Sequence, residues 1–407
     1  MKHDKISALD LFKLVPDAEL SALSQSCQVD YQVKKLSGKT ILQLLLHGLL
    51  SGKELSWRIL EVLTEGHRFR RLANLPSSFQ TDHSSLAERV SHIKVDYFRE
   101  VFERACSLAE QHCPAPILAS HKIVSCDSTF IKLAASLLKF EGMSDGTNLK
   151  KMQERPSSMV KFSVGFKGIG VKGAKFYHTA EHKSDDISLR ELIGEQGWDD
   201  DEIAVFDRGL QSRNAFDEFS QKGIKFVTRL KRGAQGTIRY KNLGPLTQIQ
   251  QDEPIITDSL VIWQDLKVVL YGKTGRKTKN TYRLIEASII ESGEDIYFLS
   301  NVKDGLSCEQ ITEIYRKRWQ IEVFFKFLKQ EFNLRHFLSR NENGIQVVLY
   351  STLIAAMLVL VYKHLNKIEG YKIAKLRFIN DLETEIMKKI VELCQGKPEL
   401  VDYFTIW

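Results

Sequence analysis

The chain has 407 residues, of which 43% are hydrophobic, and a formal net charge of +7. This length allows two or three domains with a well-formed core, and the mild positive charge permits a polyanionic partner without establishing one. The six cysteines are scattered and form no C-x2-C pair, which argues against a structural zinc site and fits a reducing compartment.

Residues 1 to about 115 show the apolar periodicity of short helices, most clearly in KTILQLLLHGLL and LSWRILEVLTEG. A basic segment, GHRFRRLANL, follows them. Short helices with a basic turn suit a helical DNA-binding domain, although a helical bundle with a solvated basic edge fits the same pattern. The N-terminus contains no apolar signal core, so we expect a cytoplasmic protein. Pro114 and Pro116 mark the predicted domain boundary.

Beyond these prolines, strands and helices alternate. The β-rich run IVSCDSTFIKL carries Asp127 at its centre, and VKFSVGFK and AKFYHTAE, separated by GIGVKG, predict a β-hairpin. SDDISLRELIGEQG predicts a helix that is capped by Ser184. IAVFD is a short strand that ends at Asp207 and is followed directly by Arg208 and Gly209, before a helix through NAFDEFSQ and a strand, IKFVTRLK.

The segment from about 233 to 300 is rich in predicted strands, namely DSLVIW, LKVVLYG, TYRLIEASII and DIYFLSN. Its segment LKVVLYGKTGRKTKNTYRL contains no acid, and Gly272 and Gly275 predict a tight hairpin with a basic tip. We expect this basic arm to contact phosphate, while a solvated hairpin that protects the sheet edge is the alternative. The cations expected at its tip are Lys273, Arg276, Lys277 and Lys279.

YRKRWQIEVFFKFLKQEF lacks Gly and Pro and predicts a helix that begins near Glu309. At about 100° per residue, Tyr315, Arg318, Glu322 and Lys329 fall on one narrow stripe with the spacing Y-x2-R-x3-E-x6-K. A carboxylate that binds a metal beside a phosphate backbone suits such neighbours. The stripe is equally compatible with a salt-bridged surface, since Arg318 and Glu322 form an i, i+4 pair.

Residues 345–362 are almost numerous and apolar enough to span a bilayer. They include Gln346, Ser351 and Thr352, and the sequence offers no second candidate span. We therefore interpret this segment as a buried core helix and expect no membrane association. Residues 366–407 are predicted to be helical and amphipathic, with possible contacts to a second copy.

The order of these elements predicts an α/β fold, in which a mixed sheet is flanked by helices and preceded by a helical domain. In this fold Asp127, Asp207 and Glu322 converge. Three neighbouring carboxylates repel one another unless cations are present, so the cluster predicts two Mg²⁺ ions and phosphodiester chemistry, with Mn²⁺ as a substitute. Taken singly, Asp127 fits a turn cap equally well, and Asp207 fits a turn before a Gly209 of positive φ.

Together these residues resemble the DDE transposases of bacterial insertion sequences, specifically the family defined by the Y-x2-R-x3-E-x6-K signature (insertion sequence family four). The first acid of that family resembles Asp127 in DST, the second resembles Asp207 in DRG, and the third is Glu322 of the signature. Thr228 and Arg229 resemble the Thr-Arg pair on the strand that follows the second acid. The resemblance covers roughly residues 115 to 365.

The resemblance implies a ribonuclease H-like catalytic core over residues 116–365, with a β-rich insertion before the third acid. It also implies cut-and-paste transposition of double-stranded DNA, with terminal inverted repeats and target DNA as substrates. We expect a homodimer in the synaptic complex, located in the bacterial cytoplasm at the nucleoid.

The resemblance further assigns DNA contacts to the signature residues. Tyr315 and Arg318 would hold the phosphate near the distorted DNA end, Lys329 would contact backbone phosphate, and Arg229 is expected to bind DNA as well. A catalytically inactive DNA-binding protein derived from such an element is the main alternative. A ribonuclease H-like nuclease or junction resolvase is a third interpretation. The presence of all three acids and the signature cations favours the transposase.

Overall fold

The computed structural model describes residues 6–52, 54–134, 143–144, 157–232, 238–250, 252–272, 275–334 and 338–403. The helices of the N-terminal part are α1 (Ala8–Phe12), α2 (Asp17–Ser26), α3 (Gly38–Leu50), α4 (Trp57–Glu65), α5 (His67–Leu72), α6 (His83–His92) and α7 (Val95–His112). The later helices are α8 (Asp185–Glu195), α9 (Arg213–Gln221), α10 (Cys308–Arg316), α11 (Trp319–Glu331), α12 (Glu342–Leu365) and α13 (Tyr371–Leu393). Short 3₁₀ helices span Ala180–Lys183 and Pro398–Tyr403.

Twelve described strands form a single mixed sheet. The strands are β1 (Ile117–Leu118), β2 (His121–Ala134), β3 (Met143–Ser144), β4 (Ser157–Lys167), β5 (Gly170–Tyr177), β6 (Glu202–Phe206), β7 (Lys225–Arg229), β8 (Tyr240–Thr247), β9 (Ile255–Ile256), β10 (Leu260–Leu270), β11 (Tyr282–Ile289) and β12 (Asp295–Ser300). The main strand order is β3-β4-β2-β6-β7-β12-β11-β10-β8, and the predicted α/β class is confirmed.

The middle of the sheet combines antiparallel and parallel pairs. β4 pairs with β5 and with β2 in antiparallel fashion, whereas β2, β6 and β7 run parallel to one another. The predicted β4–β5 hairpin is confirmed, but its turn is shorter than the sequence indicated, because the segment GVKG already belongs to β5. Gly168 adopts a φ of +63°, which a glycine accommodates without strain.

The predicted β-rich segment extends the same sheet. β12 pairs antiparallel with β7, and β11, β10 and β8 follow. The prediction of two separate strands over DSLVIW and LKVVLYG is wrong, since both lie in β10. The pairing register shifts between Ile262 and Gln264, so a bulge at Trp263 interrupts the alternation that a continuous strand shows.

Helices cover both faces of the sheet next to β6. Ala204 and Phe206 face a core cluster shared with α8 and α9, whereas Ile203 and Val205 face a cluster shared with α10. This alternation follows from the period of two along a strand. The end of β6 therefore emerges between two layers of helices, and side chains from both layers reach it.

The longest helix, α12, packs against α3, α6, α7 and α13. Among the described residues it is the one helix long and apolar enough to cross a membrane, and 89% of its most apolar window is buried within the fold. The prediction of a buried core helix is confirmed. The hydrophobic core around α12 contains residues of α1–α7 and residues of α11–α13. The proposed domain boundaries near residues 115 and 366 remain predictions.

Candidate active site

Asp127 and Asp207 lie side by side on neighbouring strands. β2 and β6 are parallel, and Cys126 pairs with Phe206, so the next residue on each strand is one of the two acids. Adjacent strands lie about 5 Å apart. On the neighbouring β7, the Thr228 hydroxyl donates hydrogen bonds to the carbonyl oxygens of Phe206 (2.9 Å) and Asp207 (3.2 Å). These bonds fix the end of β6, from which Asp207 projects.

Gly209 permits a close approach of two carboxylates. Its N–H donates to Asp207 Oδ1 at 2.7 Å. A Cβ at this position would overlap Asp185 Oδ2 and would lie 2.8 Å from Asp207 Oδ1. The backbone of Gly209 does not have a positive φ. The interpretation based on positive φ is therefore wrong, and it is packing that requires glycine here.

The signature segment forms two helices instead of one. α10 ends at Arg316 and α11 begins at Trp319, so the prediction of a continuous helix is wrong at this point. The N–H groups of Arg318 and Ile321 bond to carbonyl oxygens three residues back, at 3.0 and 3.1 Å, as in a tighter 3₁₀ turn. The carbonyl oxygen of Lys317 accepts a bond from Ser125 Oγ at 3.4 Å. This bond ties the turn to the strand that carries Asp127.

Arg318 links the first and third acids. Its Nη2 lies 2.6 Å from Glu322 Oε1, and its Nη1 lies 3.7 Å from Asp127 Oδ2. The i, i+4 pair expected from the alternative interpretation is thus present, but it also extends to Asp127. The Arg318 side chain is only 14% exposed, so the pair is not a solvated surface salt bridge. Asp127, Asp207 and Glu322 therefore gather around one end of the sheet.

The charge on Asp127 is poorly compensated. The pKa of Asp127 is raised from 3.8 to about 7, chiefly by burial and also by the negative charges of Asp207 and Asp185. A 2.7 Å bond from the Ser128 N–H and the nearby Arg318 only partly offset this rise. A carboxyl group in this setting gains from any additional cation.

Tyr315 organises two cations beside the acids. The guanidinium groups of Arg229 and Arg318 both lie over its ring, with central carbons 5.9 and 5.8 Å from the ring centroid. The ring also packs edge-on against Phe298, with centroids 5.3 Å apart. Tyr315, Arg318 and Phe298 line a cleft of about 590 Å³ that Trp319 borders. Tyr315 thus contacts two cations, of which Arg318 lines this mainly apolar cleft.

The fourth signature residue approaches the site from the other side. Lys329 Nζ donates to Thr129 Oγ1 at 2.6 Å, and Thr129 lies two residues beyond Asp127 on the same face of β2. Lys329 and Glu322 border a second, open cleft with Thr129 and Lys326. Arg318 and Lys329 therefore both reach the middle of β2, at Asp127 and Thr129, although the four signature residues do not form one continuous stripe.

The predicted basic arm lies at the end of β10 that faces away from the Arg318 cleft. Leu260, at the start of β10, lines that cleft, whereas the arm begins after Leu270 at the other end of the strand. The arm's backbone docks on α9, where Asp217 accepts the N–H groups of Lys279 (2.8 Å) and Asn280 (2.9 Å). The side chains of Arg276, Lys277 and Lys279 are exposed, and Lys273 lies outside the described residues.

The donor chemistry suits a hard divalent cation. Mg²⁺ prefers carboxylate oxygens, and Asp127 and Asp207 are adjacent with insufficient positive charge nearby. Glu322 is engaged by Arg318. Within the described ranges no group of three or more His, Cys, Asp or Glu side chains is close enough to hold a metal ion. Coordination by all three acids would therefore require Glu322 to exchange its arginine for the metal.

Sequence reasoning missed Asp185. Its helix was predicted and is confirmed, with Ser184 Oγ accepting the N–H of Asp186, but the closeness of Asp185 to Asp207 was not foreseen. The available signal was Lys161, a cation in the otherwise apolar strand VKFSVGF, because a buried ammonium group requires an acidic partner.

Residues 120–358 match the family described as transposase DDE domain. A protein named as a transposase for insertion sequence element IS4SA, from Synechocystis sp. (strain ATCC 27184 / PCC 6803 / Kazusa), is 27% identical over 58% of this chain and 59% of its own length. The transposase for element IS231C of Bacillus thuringiensis subsp. berliner is 24% identical over 42% of this chain and 45% of its own length. The alignments thus span about half of these relatives.

Proposed function

The chain belongs to the transposase DDE domain family, and from this premise we propose that it is a cut-and-paste DNA transposase with Asp127, Asp207 and Glu322 as its catalytic acids. The observation that carries the proposal is that Asp127 lies beside Asp207 and is linked through Arg318 to Glu322. All of them lie within the matched residues.

The proposed catalytic core is ribonuclease H-like. Its five central strands are β5, β4 and β2, which are antiparallel, followed by the parallel strands β6 and β7. The strands β8–β12 are its β-rich insertion, and residues 116–365 are its extent. Residues 1–115 recognise the DNA ends, and residues 366–407 bring two copies together. These assignments are supported by the order of the elements and by the family.

In this proposal Asp127, Asp207 and Glu322 would hold two Mg²⁺ ions, for which Mn²⁺ would substitute. When bound, the metal would supply activation of the attacking oxygen and stabilisation of the leaving oxygen of an in-line displacement. The protein's own cations position the DNA. Arg318 holds the phosphate at the transposon end, and Lys329 contacts the backbone on the opposite side of Glu322.

The proposed reaction begins with a nick at the transposon end. The freed 3′-hydroxyl attacks the opposite strand to give a DNA hairpin, water reopens the hairpin, and the released end joins target DNA. The partners are therefore double-stranded DNA with terminal inverted repeats, target DNA and a second copy of this chain. The proposed location is the bacterial cytoplasm at the nucleoid.

Joining of a pre-cut end tests this function. A duplex that carries the flanking end of the protein's own gene with a free 3′-hydroxyl is incubated with a plasmid target and Mg²⁺. We expect joined products from the wild type and from Asp201→Ala, which removes a salt bridge to Lys122 at the opposite end of β6. We expect none from Asp207→Ala, which should still bind the duplex.

Two outcomes would replace the proposal. Cutting of DNA without any joining would indicate a ribonuclease H-like nuclease or resolvase. Binding without cutting or joining by the wild type would indicate a catalytically inactive DNA-binding protein.

A further inference from the structure

A buried lysine lies behind the acids. The side chain of Lys161 on β4 is 1% exposed, and its Nζ donates to Asp185 Oδ1 at 2.6 Å and to the carbonyl oxygen of Lys183 at 3.0 Å. Its ammonium group also lies 5.3 Å from the ring centroid of Phe130. Removing a partner from a buried ion pair is costly, so this pair fixes where the Asp185 carboxylate sits.

The other carboxylate oxygen of Asp185 contacts the loop that follows β6. Asp185 Oδ2 occupies the space where a side chain at position 209 would begin, and the N–H of Gly209 holds Asp207 Oδ1 at 2.7 Å. The contacts therefore run in a chain from Lys161 through Asp185 and Gly209 to Asp207. The N-terminus of α8 also holds the rest of this loop, through Asp186. Asp186 Oδ1 accepts the N–H groups of Gln211 and Ser212, both at 2.7 Å.

We propose that Asp185, held by Lys161, is a positioning residue that sets the location of the Asp207 carboxylate beside Asp127. Asp185 is not assigned as a metal ligand, because one of its oxygens is bonded to Lys161 and the other abuts Gly209. The inference rests on the proposed function, since it assumes that Asp207 binds a divalent cation, and it adds a residue that the signature does not contain.

Binding of Mn²⁺ to the DNA-free protein tests this role without any catalytic readout. Free Mn²⁺ is followed by electron paramagnetic resonance for the wild type, Asp185→Ala and Asp185→Asn. We expect Asp185→Ala to weaken Mn²⁺ binding by roughly 10- to 100-fold, as is typical when an outer-shell partner is lost. Asn keeps the volume and an oxygen acceptor for Lys161, so it should recover most of the affinity. Asp201→Ala is the control and should bind as the wild type does.

Gly209→Ala provides a second variant that keeps both charged groups of the buried pair. Its added methyl group must push Asp185 and Asp207 apart, so it should weaken Mn²⁺ binding even if Asp185→Ala fails to fold. Wild-type affinity in folded Asp185→Ala, or in folded Gly209→Ala, would overturn the positioning role while leaving the proposed function intact. A wild-type protein that neither binds Mn²⁺ nor cuts DNA would overturn the proposed function and this inference together.

Discussion

Carboxylates at the two ends of β6 lie in opposite electrostatic environments. At its start, the fully buried carboxylate of Glu202 contacts Lys172 and Lys167, the latter at 3.1 Å, and accepts the N–H of Asp199 at 2.9 Å. Burial by itself raises the pKa of Glu202, but these partners outweigh it and leave the pKa lowered. Beyond the other end of the strand, Asp207 neighbours Asp127, whose pKa is raised to about 7.

The difference separates a carboxylate that stabilises the fold from one whose setting suits a bound cation. Glu202 has the partners that it needs, so it stabilises the fold once it is ionised. Asp127 lacks such partners, so its ionisation lowers the free energy of unfolding. A bound cation would stabilise the ionised form and offset this loss. As the pH falls from 7 to 4, Asp127 takes up a proton, and the unfavourable free energy of its buried charge therefore disappears. Glu202, in contrast, stabilises the fold until the pH falls below the usual pKa of a glutamate.

Removing the satisfied carboxylate should give the largest change in stability. Glu202→Ala leaves the mostly buried Lys172 without its carboxylate and leaves Lys167 with Glu110 alone, so we expect a loss of up to about 3–5 kcal/mol in the free energy of unfolding. Urea denaturation at pH 7 measures it. Glu195→Ala, which breaks an exposed pair with Lys175, should change stability by less than about 1 kcal/mol. Equal effects of the two variants would contradict the comparison.

Removing the Asp127 carboxylate should change the free energy of unfolding in the opposite direction. The folded-state pKa of Asp127 lies above its unfolded value, so the cost of ionisation appears as the pH rises from about 4 to 7. In the absence of metal, Asp127→Asn should therefore be more stable than the wild type at pH 8, by at most about 4 kcal/mol. The gain should shrink steadily toward pH 5. Thermal unfolding across this range tests it, and a pH-independent difference would refute the electrostatic account.

Arg318 sharpens the comparison, because it is the cation that links two of the three acids. Arg318→Ala should slow DNA hairpin formation by roughly 100-fold, the usual size of losing one charge-stabilising donor, and should affect the first nick less. Time courses on end-labelled DNA resolve the two steps. Arg316→Ala, which breaks an exposed pair with Glu313, is the matched control. An equal loss of both steps in Arg318→Ala would count against its role at the DNA end.

The basic arm should give the smallest effect on cleavage, since Arg276, Lys277 and Lys279 border neither of the clefts that the signature residues line. Replacing Arg276, Lys277 and Lys279 with Ala should reduce the slope of log affinity against log salt by up to about 3, with little change in cleavage at saturating protein. Filter binding at several salt concentrations measures the slope. An unchanged slope would mean that the arm is only a solvated hairpin.

The sequence predicted what depends on local pattern. Strand alternation located Asp127 and Asp207, and residue spacing placed Arg318 within reach of Glu322. It did not predict the break before Trp319, because that turn is held by Ser125 from a strand almost two hundred residues earlier. The role of Gly209 was also missed, since its tight packing against Asp185 depends on how α8 meets the loop. Long-range contacts of this kind leave no local spacing to detect.

Cleavage of DNA by the wild type and by Glu322→Ala tests the central claim most directly. The substrate is a duplex that carries the ends flanking the protein's own gene, in buffer with Mg²⁺, and binding is measured on the same samples. We predict nicks and DNA hairpins from the wild type alone, with equal binding by both proteins. Cleavage by Glu322→Ala at the wild-type rate, or binding without cleavage by both proteins, would contradict the account.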